Sequence, residues 1–195
     1  MKYLLIKLTA LFLLAISFSA FSDENVPEYA TVGPWSIRVD SSLGYGCFLM
    51  AEFEGGSLLR LGFDNSNDTI YVLIGDMKWK SIEYGKKYNV EIQFGDETKW
   101  TGNAKGFSFD PPNNEPWLWI SISIDSDLAI LFFQEFMQEQ GINLFYKNSS
   151  ISHLSLSDSY KAGLKLLECQ ETMNTIDEDP FDESKGSENE DPFAS

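Results

Sequence analysis

The chain has 195 residues and is strongly acidic, with 14 Lys and Arg against 30 Asp and Glu and a formal net charge of -16 at pH 7. Such a charge repels phosphate backbones and anionic membranes, so the composition argues against a nucleic-acid partner. Hydrophobic residues make up 43% of the chain, enough to bury the core of one domain of ordinary size.

The first 22 residues have the parts of a secretory signal peptide. Lys2 and Lys7 give a basic start, residues 8–18 form a short apolar core, and Ala20 and Ser22 are small residues before the cleavage point. The apolar core is too short to cross a bilayer, and no later stretch is long and apolar enough to do so. We therefore predict a signal peptide over 1–22 and a mature protein, periplasmic or secreted, without a transmembrane segment.

The globular domain is predicted over residues 35–170, after a polar arm at 23–34 that we expect to be loose. Its first strand is indicated by the alternation of apolar and polar residues in Trp35–Asp40. Two strand-forming runs then flank Gly55-Gly56, a pair that readily adopts the positive φ of a tight turn, which predicts a β-hairpin. With the apolar run that follows, residues 47–74 predict a three-stranded meander.

The rest of the domain alternates between strand and helix patterns. Strands are predicted over 88–94, 98–109, 117–124, 142–146 and 151–156. One helix is predicted from Leu128, capped by Ser126 or Asp125 and stopped by Gly141, and a second one carries Tyr160 to Cys169. The fold class is therefore mainly β: an antiparallel β-sandwich or barrel-like sheet of about eight strands, with two packed helices.

The two cysteines, Cys47 and Cys169, form an even count in a chain expected to enter an oxidising compartment. A single disulfide is the favoured interpretation, and it would tie the first hairpin to the last helix. The alternative is two separate buried thiols. Two cysteines and one histidine do not make a standard zinc spacing, so we predict neither a metal site nor a cofactor.

Residues 171–195 form an acidic tail with little to bury, and we expect it to be disordered. The tail contains Glu-Asp-Pro-Phe twice, which places Phe181 and Phe193 as lone apolar anchors among acidic residues. Short docking motifs are often built in this way, although chance in a biased composition explains the repeat as well.

Two tryptophans are the strongest candidates for a ligand surface. Alternation places Trp117 and Trp119 on one face of their strand, opposite Leu118 and Ile120. An open tryptophan face would be a stacking platform for sugars or proline-rich peptide, whereas a covered one would be core. Because the helix from Leu128 is apolar around much of its circumference, we predict that it packs on the tryptophans and buries both.

No residue is predicted to be catalytic. The only histidine, His153, lies in a Ser/Leu strand without a neighbouring acid and is expected to be exposed. Asp64, Ser66 and Asp68 have the spacing of the start of a calcium loop, but Thr69 stands where glycine is required, so we interpret the segment as a turn. A pair of carboxylates for sugar chemistry is a spatial arrangement that the sequence does not single out.

Three short motifs carry a resemblance to known proteins: Gly46-Cys47-Phe48, Arg60–Asp64 and Ser155–Ala162. They are similar to motifs in small exported bacterial proteins of unassigned function, and the C-terminal strand–helix unit resembles the invasion-associated locus B family of periplasmic proteins. The resemblance covers at most residues 35–170. It implies a bacterial envelope setting and an all-β fold, and it carries over no catalytic residues.

These observations together predict an exported, non-enzymatic module that binds a protein or peptide partner in the bacterial periplasm or envelope. The alternative is an envelope glycan-binding protein or a carboxylate-dependent glycan hydrolase.

Overall fold

The computed structural model describes residues 26–108 and 116–176. This part of the chain is mainly β, with ten antiparallel strands in one sheet and two α-helices, so the predicted fold class is confirmed. The strand order is β1-β2-β3-β4-β5-β8-β7-β6-β9-β10. The elements are β1 (Glu28–Val32), β2 (Trp35–Asp40), β3 (Gly46–Phe53), β4 (Ser57–Asp64), β5 (Thr69–Asp76), β6 (Lys87–Phe94), β7 (Trp100–Phe107), β8 (Trp117–Ser123), α1 (Asp127–Gln138), β9 (Gly141–Tyr146), β10 (Ser149–Ser155) and α2 (Ser159–Ile176).

The sheet curls around α1. Trp35 on β2 contacts Phe136 with ring centroids 5.6 Å apart, and Phe94 on β6 contacts Phe132 at 4.9 Å. In a flat sheet β2 and β6, six places apart in the strand order, would stand roughly 29 Å apart at about 4.8 Å per strand. Phe132 and Phe136 are separated by one helical turn, about 6 Å. Strands so distant in the order can contact neighbouring rings of α1 only because the sheet is strongly curved. This curvature is consistent with the barrel-like sheet of the predicted fold class.

The start of α1 follows from its capping residue. Ser126 has extended backbone, and its side-chain oxygen accepts a hydrogen bond from the Leu128 N–H, so the predicted serine cap is confirmed. The buried residues Ala129, Phe132 and Phe136 recur at helical spacing and face the inner side of the sheet. The apolar pattern thus determines which side of the helix is turned toward the sheet.

The last helix is tied to the first strands by the disulfide. Cys47 on β3 and Cys169 on α2 are bonded, with Cα atoms 6.1 Å apart, so the predicted pairing is confirmed and the alternative of two separate thiols is wrong. Gln170, beside the bridge, accepts a hydrogen bond from the Cys47 N–H at 2.9 Å. Covalent and polar contacts therefore hold α2 at the same point of β3.

Two boundaries and the number of strands differ from the sequence prediction. Residues 28–32 of the expected loose arm form β1, an edge strand paired with β2, and the sheet has ten strands rather than about eight. The last helix continues to Ile176, beyond the predicted domain end at residue 170. β1 is partly exposed and is joined to β2 by a two-residue turn at Gly33. Because its sequence has no strong alternation of apolar and polar residues, the pattern did not predict this strand.

Several predictions fall outside the described residues: the signal peptide, the distal tail, and the candidate binding residues Phe181 and Phe193. Within residues 26–108 and 116–176, no helix is long and apolar enough to cross a membrane.

The disulfide generates the first testable prediction. Its cysteines are 122 residues apart in sequence, and closing a loop of that length restricts the unfolded chain by about 5 kcal/mol in the chain-entropy model. Mature protein that is unfolded without reductant should take up no alkylating reagent, and reduction should expose two thiols. Mass spectrometry measures both states, and two alkylated cysteines in unreduced material would refute the bond.

Candidate functional site

The two faces of β8 belong to different clusters. Leu118 and Ile120 join the inner core with the phenylalanines of α1, whereas Trp117 and Trp119 lie on the outer face in a cluster that contains no residue of α1 or α2. The predicted packing of α1 on the tryptophans is therefore wrong. The aliphatic side of β8 continues into the aliphatic inner residues of β5, and this larger surface is the one that α1 covers. Trp117 is nonetheless buried, at 4% exposure, and Trp119 is half-buried.

The tryptophans are part of a compact group that we call the outer-face cluster. Its members come from β3, β4, β5 and β8 and pack side by side on the outer surface of the sheet. They are Phe48, Arg60, Tyr71, Leu73, Trp117 and Trp119. Trp117 and Trp119, two of the candidate binding residues from the sequence, are thus brought together with an arginine that the sequence did not single out.

Two glycines let the aromatic rings lie flat on the sheet. A Cβ on Gly62 would stand 2.5 Å from the Cβ of Phe48 and 2.7 Å from the Cys47 carbonyl oxygen. A Cβ on Gly75 would stand 2.8 Å from the ring of Trp117. The rings therefore occupy the space that side chains at these strand positions would fill.

Arg60 is a buried cation whose charge is compensated from three sides. Its Nε donates to the Tyr71 hydroxyl at 2.6 Å, its guanidinium forms an ion pair with Asp40, and its Cζ lies 3.5 Å from the centre of the Phe48 ring. A buried charge is tolerated only when it is paired and hydrogen-bonded. The arginine therefore fastens β4 to the end of β2 and to β5.

The protonation states of its partners follow from this arrangement. Burial raises the pKa of Asp40, but hydrogen bonds from Ser42 and Arg60 and the charge of Arg60 outweigh that effect and hold the pKa below its usual range. Burial raises the pKa of Tyr71 well above its usual range, so its hydroxyl stays protonated at neutral pH. Asp40, Arg60 and Tyr71 therefore form an ion pair and a hydrogen bond that connect strands. They do not form an acid–base pair that exchanges a proton near neutral pH.

Trp119 is the part of the cluster that approaches solvent. Its ring stacks on Tyr71 with centroids 4.5 Å apart and contacts Phe107 at 5.2 Å, and its Nε1 donates to the Ser121 hydroxyl at 2.6 Å. The indole is held by neighbours on several sides, so little of its ring surface is left for a ligand. The centre of the outer-face cluster is accordingly a packed layer, and only its margin is accessible to a ligand.

Two further predictions about side chains are confirmed. His153 is exposed on β10, with its Nδ1 2.7 Å from Asn143 Oδ1. Asp64 organises a turn, since its carboxylate accepts hydrogen bonds from the Ser66 N–H and from Asn67 Nδ2. Within the described residues, no group of three or more His, Cys, Asp or Glu side chains is arranged to hold a metal ion.

The largest group of exposed apolar side chains lies on the two helices, although the sequence predicts that α1 is buried. Six large side chains there are 40% to 60% exposed, and we call them the helix-face patch: Leu128, Ile130, Leu131, Tyr160, Leu164 and Leu167. α1 and α2 lie side by side, because a Cβ on Gly163 would stand 2.6 Å from Met137 Cγ. The sequence contains a signal for this exposed surface, because α1 is apolar around much of its circumference. Only one side of the helix is needed to pack against the core, so apolar residues on the other sides remain exposed.

Comparisons with protein-family models, curated proteins and solved structures found no match for this chain. The resemblance to the invasion-associated locus B family therefore stays a prediction, as does the function that it implies.

Adding a methyl group at Gly62 should distort the outer-face cluster. The new Cβ would press on the backbone of β3, so we expect Gly62→Ala to lower the free energy of unfolding by about 3 kcal/mol. Gly102→Ala is the matched control, because nothing lies within 4 Å of a Cβ on Gly102, and its effect should stay within about 0.5 kcal/mol. Urea unfolding measures both variants, and equal effects would contradict the packing described.

Asp40 should make stability depend on pH in the acid range. Its folded pKa is below the unfolded value of about 3.9, so its contribution is present above that value and is lost as the pH falls toward the folded pKa. Asp40→Asn should destabilise the protein at pH 7 but lose less additional stability between pH 5 and pH 3 than the wild type. Urea midpoints at each pH test this, with Glu54→Gln, an exposed carboxylate, as the control. Parallel losses in wild type and Asp40→Asn would rule out the ion pair.

Proposed function

We propose that the protein is an exported, non-enzymatic protein-binding module of the bacterial periplasm or envelope. In this proposal the helix-face patch binds a basic, apolar segment of a partner protein. The observation that carries the proposal is the half-exposure of six large apolar side chains on two adjacent helices.

The size of the patch supports a protein partner. Side chains of this kind expose on the order of 100 Å² each at half exposure, so the six together expose several hundred Å², the area at which contiguous apolar surface marks an interaction site. Tyr160, Leu164 and Leu167 follow one another at spacings of four and three, which forms a continuous stripe along α2. An apolar stripe beside a second apolar helix is a surface that accepts an amphipathic segment.

Charge selects a basic partner over a second copy of this chain. Each copy has a formal net charge of -16, so self-association at this surface opposes two large charges of the same sign. Asp127 is exposed at the start of α1, while the lysines of α2, Lys161 and Lys165, are already paired with Asp158 and Glu168. A partner that carries Lys or Arg beside its apolar residues gains attraction at the rim.

Export is supported by the disulfide and by the signal-peptide pattern. Disulfides persist in oxidising compartments and are rare in the cytosol. The envelope setting rests in addition on the resemblance described above, and the acidic Phe181 and Phe193 motifs are candidates for a second contact with the partner.

A designed peptide pair tests the helix-face patch. Full-length mature protein should bind a Leu/Lys amphipathic peptide and not the Leu/Glu peptide of the same pattern, as measured by fluorescence anisotropy. The double variant Leu131→Gln/Leu164→Gln should weaken binding at least tenfold. Met77→Gln/Tyr84→Gln removes equally exposed apolar groups elsewhere and should leave binding unchanged.

Other results would overturn the proposal. Equal binding of both peptides, or equal loss in both double variants, would exclude a specific patch. A stable dimer by sedimentation that dissociates in the patch variant would assign the surface to a second copy. Capture of a protein from envelope extract counts as support only if it requires Leu131 and Leu164. Turnover of peptidoglycan fragments that a single Asp or Glu substitution abolishes would exclude a non-enzymatic role.

A further inference from the structure

A second surface, separate from the helix-face patch, lies at the end of the sheet where β6 runs beside β9 and the β9–β10 turn. We propose that it binds an acidic sugar, meaning a sugar ring that carries a carboxylate or phosphate group. The site is an open cleft of about 290 Å³, close to the lower limit for small-molecule sites. We call it the lysine cleft, and its principal lining residues are Lys87, Asn89, Phe145, Tyr146, Lys147 and Asn148.

The strand register places a lysine outside the cleft, Lys105, beside one that lines it, Lys87. Lys87 on β6 stands directly opposite Lys105 on β7, and Lys105 stands opposite Trp119 on β8. Like charges directly opposed across strands are unfavourable. Within the described residues, no carboxylate lies within ion-pair distance of Lys87, Lys105 or Lys147. A bound oxyanion would relieve this repulsion.

Lys147 brings a further ammonium group to the rim of the cleft. It occupies the β9–β10 turn, where Lys147 and Asn148 both have positive φ, 50° and 64°. A left-handed conformation is uncommon for lysine, and two such residues in succession define a tight hairpin turn. The Lys147 Nζ lies 5.1 Å from the centre of the Tyr146 ring. The tight turn and the Tyr146 ring together restrict the position of the Lys147 ammonium group.

The carboxamides that line the cleft suit the hydroxyls of a sugar. Those of Asn89 and Asn148 can both donate and accept hydrogen bonds, as hydroxyl groups require. Phe145 is half-buried, with the Lys99 Nζ 3.8 Å from the centre of its ring, and Tyr146, which stands opposite Val90, packs against the inner core. The one acid of the cleft, Glu91, is engaged by Lys99 at 2.8 Å, so it does not cancel the charge of Lys87. Ammonium, carboxamide and aromatic groups thus converge in one small space.

The negative charge of the whole chain limits the ligand to a small one. At physiological ionic strength, charges farther than about 8 Å are largely screened, so a short anion in the cleft experiences mainly the adjacent lysines. A long polyanion would extend over the acidic remainder of the surface and be repelled. This favours an acidic mono- or oligosaccharide over a nucleic acid.

The test measures the thermal stabilisation of full-length mature protein by defined probes. Digalacturonate and glucose 6-phosphate represent the carboxylate and phosphate forms, and maltose is the neutral control. We expect at least one acidic sugar to raise the unfolding midpoint, since a ligand that binds only the folded state stabilises it, and maltose to have no effect. Lys87→Gln and Lys147→Gln should each weaken binding at least tenfold. Because Lys87→Gln removes a like-charge contact, it should not lower the midpoint of the free protein.

Matched controls make each outcome decisive. Lys78→Gln and Lys80→Gln remove the same charge from exposed positions on the β5–β6 connection and should leave binding intact. Loss of binding in these controls, or no shift with either acidic sugar, would overturn the proposal. Equal stabilisation by inorganic phosphate or by a triglutamate peptide would show that the cleft binds oxyanions or acidic peptide without recognising a sugar ring. None of these results depends on the Leu/Lys peptide, so the two surfaces are tested independently.

Discussion

The packing of one helix against strands from distant parts of the sheet is the constraint on which the rest of the structure depends. The rings of Phe132 and Phe136 reach β6 and β2, and this is possible only if the sheet curls around α1. The curl fills the inner face with apolar side chains. The two surfaces proposed for binding lie accordingly away from this core, one on the helices and one at the end of the sheet beside β6 and β9.

The second helix completes the enclosure by joining the two ends of the strand order. α2 begins directly after β10, at one edge of the sheet, and packs against β1, β2 and β3 at the other. Trp35 on β2 donates its indole N–H to the Ser157 carbonyl, just before α2. The disulfide then fixes the helix on β3. α2 therefore links the two edges of the sheet through packing, a hydrogen bond and a disulfide.

The sequence predicted elements well wherever the determining contacts are local. Alternation identified most strands, the Ser126 cap set the start of α1, and the two cysteines could pair only with each other. The sequence did not show which face of β8 the helix covers, because both faces are apolar, one with Trp117 and Trp119 and the other with Leu118 and Ile120. Alternation shows which residues share a face, but it does not show which face packs against the helix. The apolar circumference of α1 was taken to require burial, whereas part of it remains exposed.

The candidate sites were harder to predict because they depend on strand register. Lys87, Lys105 and Lys147 are far apart in the chain, and the β6–β7 and β6–β9 pairings bring them to one end of the sheet. The placement of Arg60 above Phe48 likewise requires the β3–β4 register and the absence of a side chain at Gly62. A hairpin pattern in the sequence predicts that two consecutive strands pair. The pairing of strands that are not consecutive, as in the order β5-β8-β7-β6-β9, depends on the packing of the whole domain.

The position of the disulfide also orders the events by which the chain matures. Cys47 is synthesised 122 residues before Cys169, so the bond cannot form while the first hairpin is the only part of the domain available. The two sulfurs can meet only once the residues of α2 have been made. Oxidation therefore waits for the C-terminal helix, and with only two cysteines in the 195 residues there is no internal mispairing to correct.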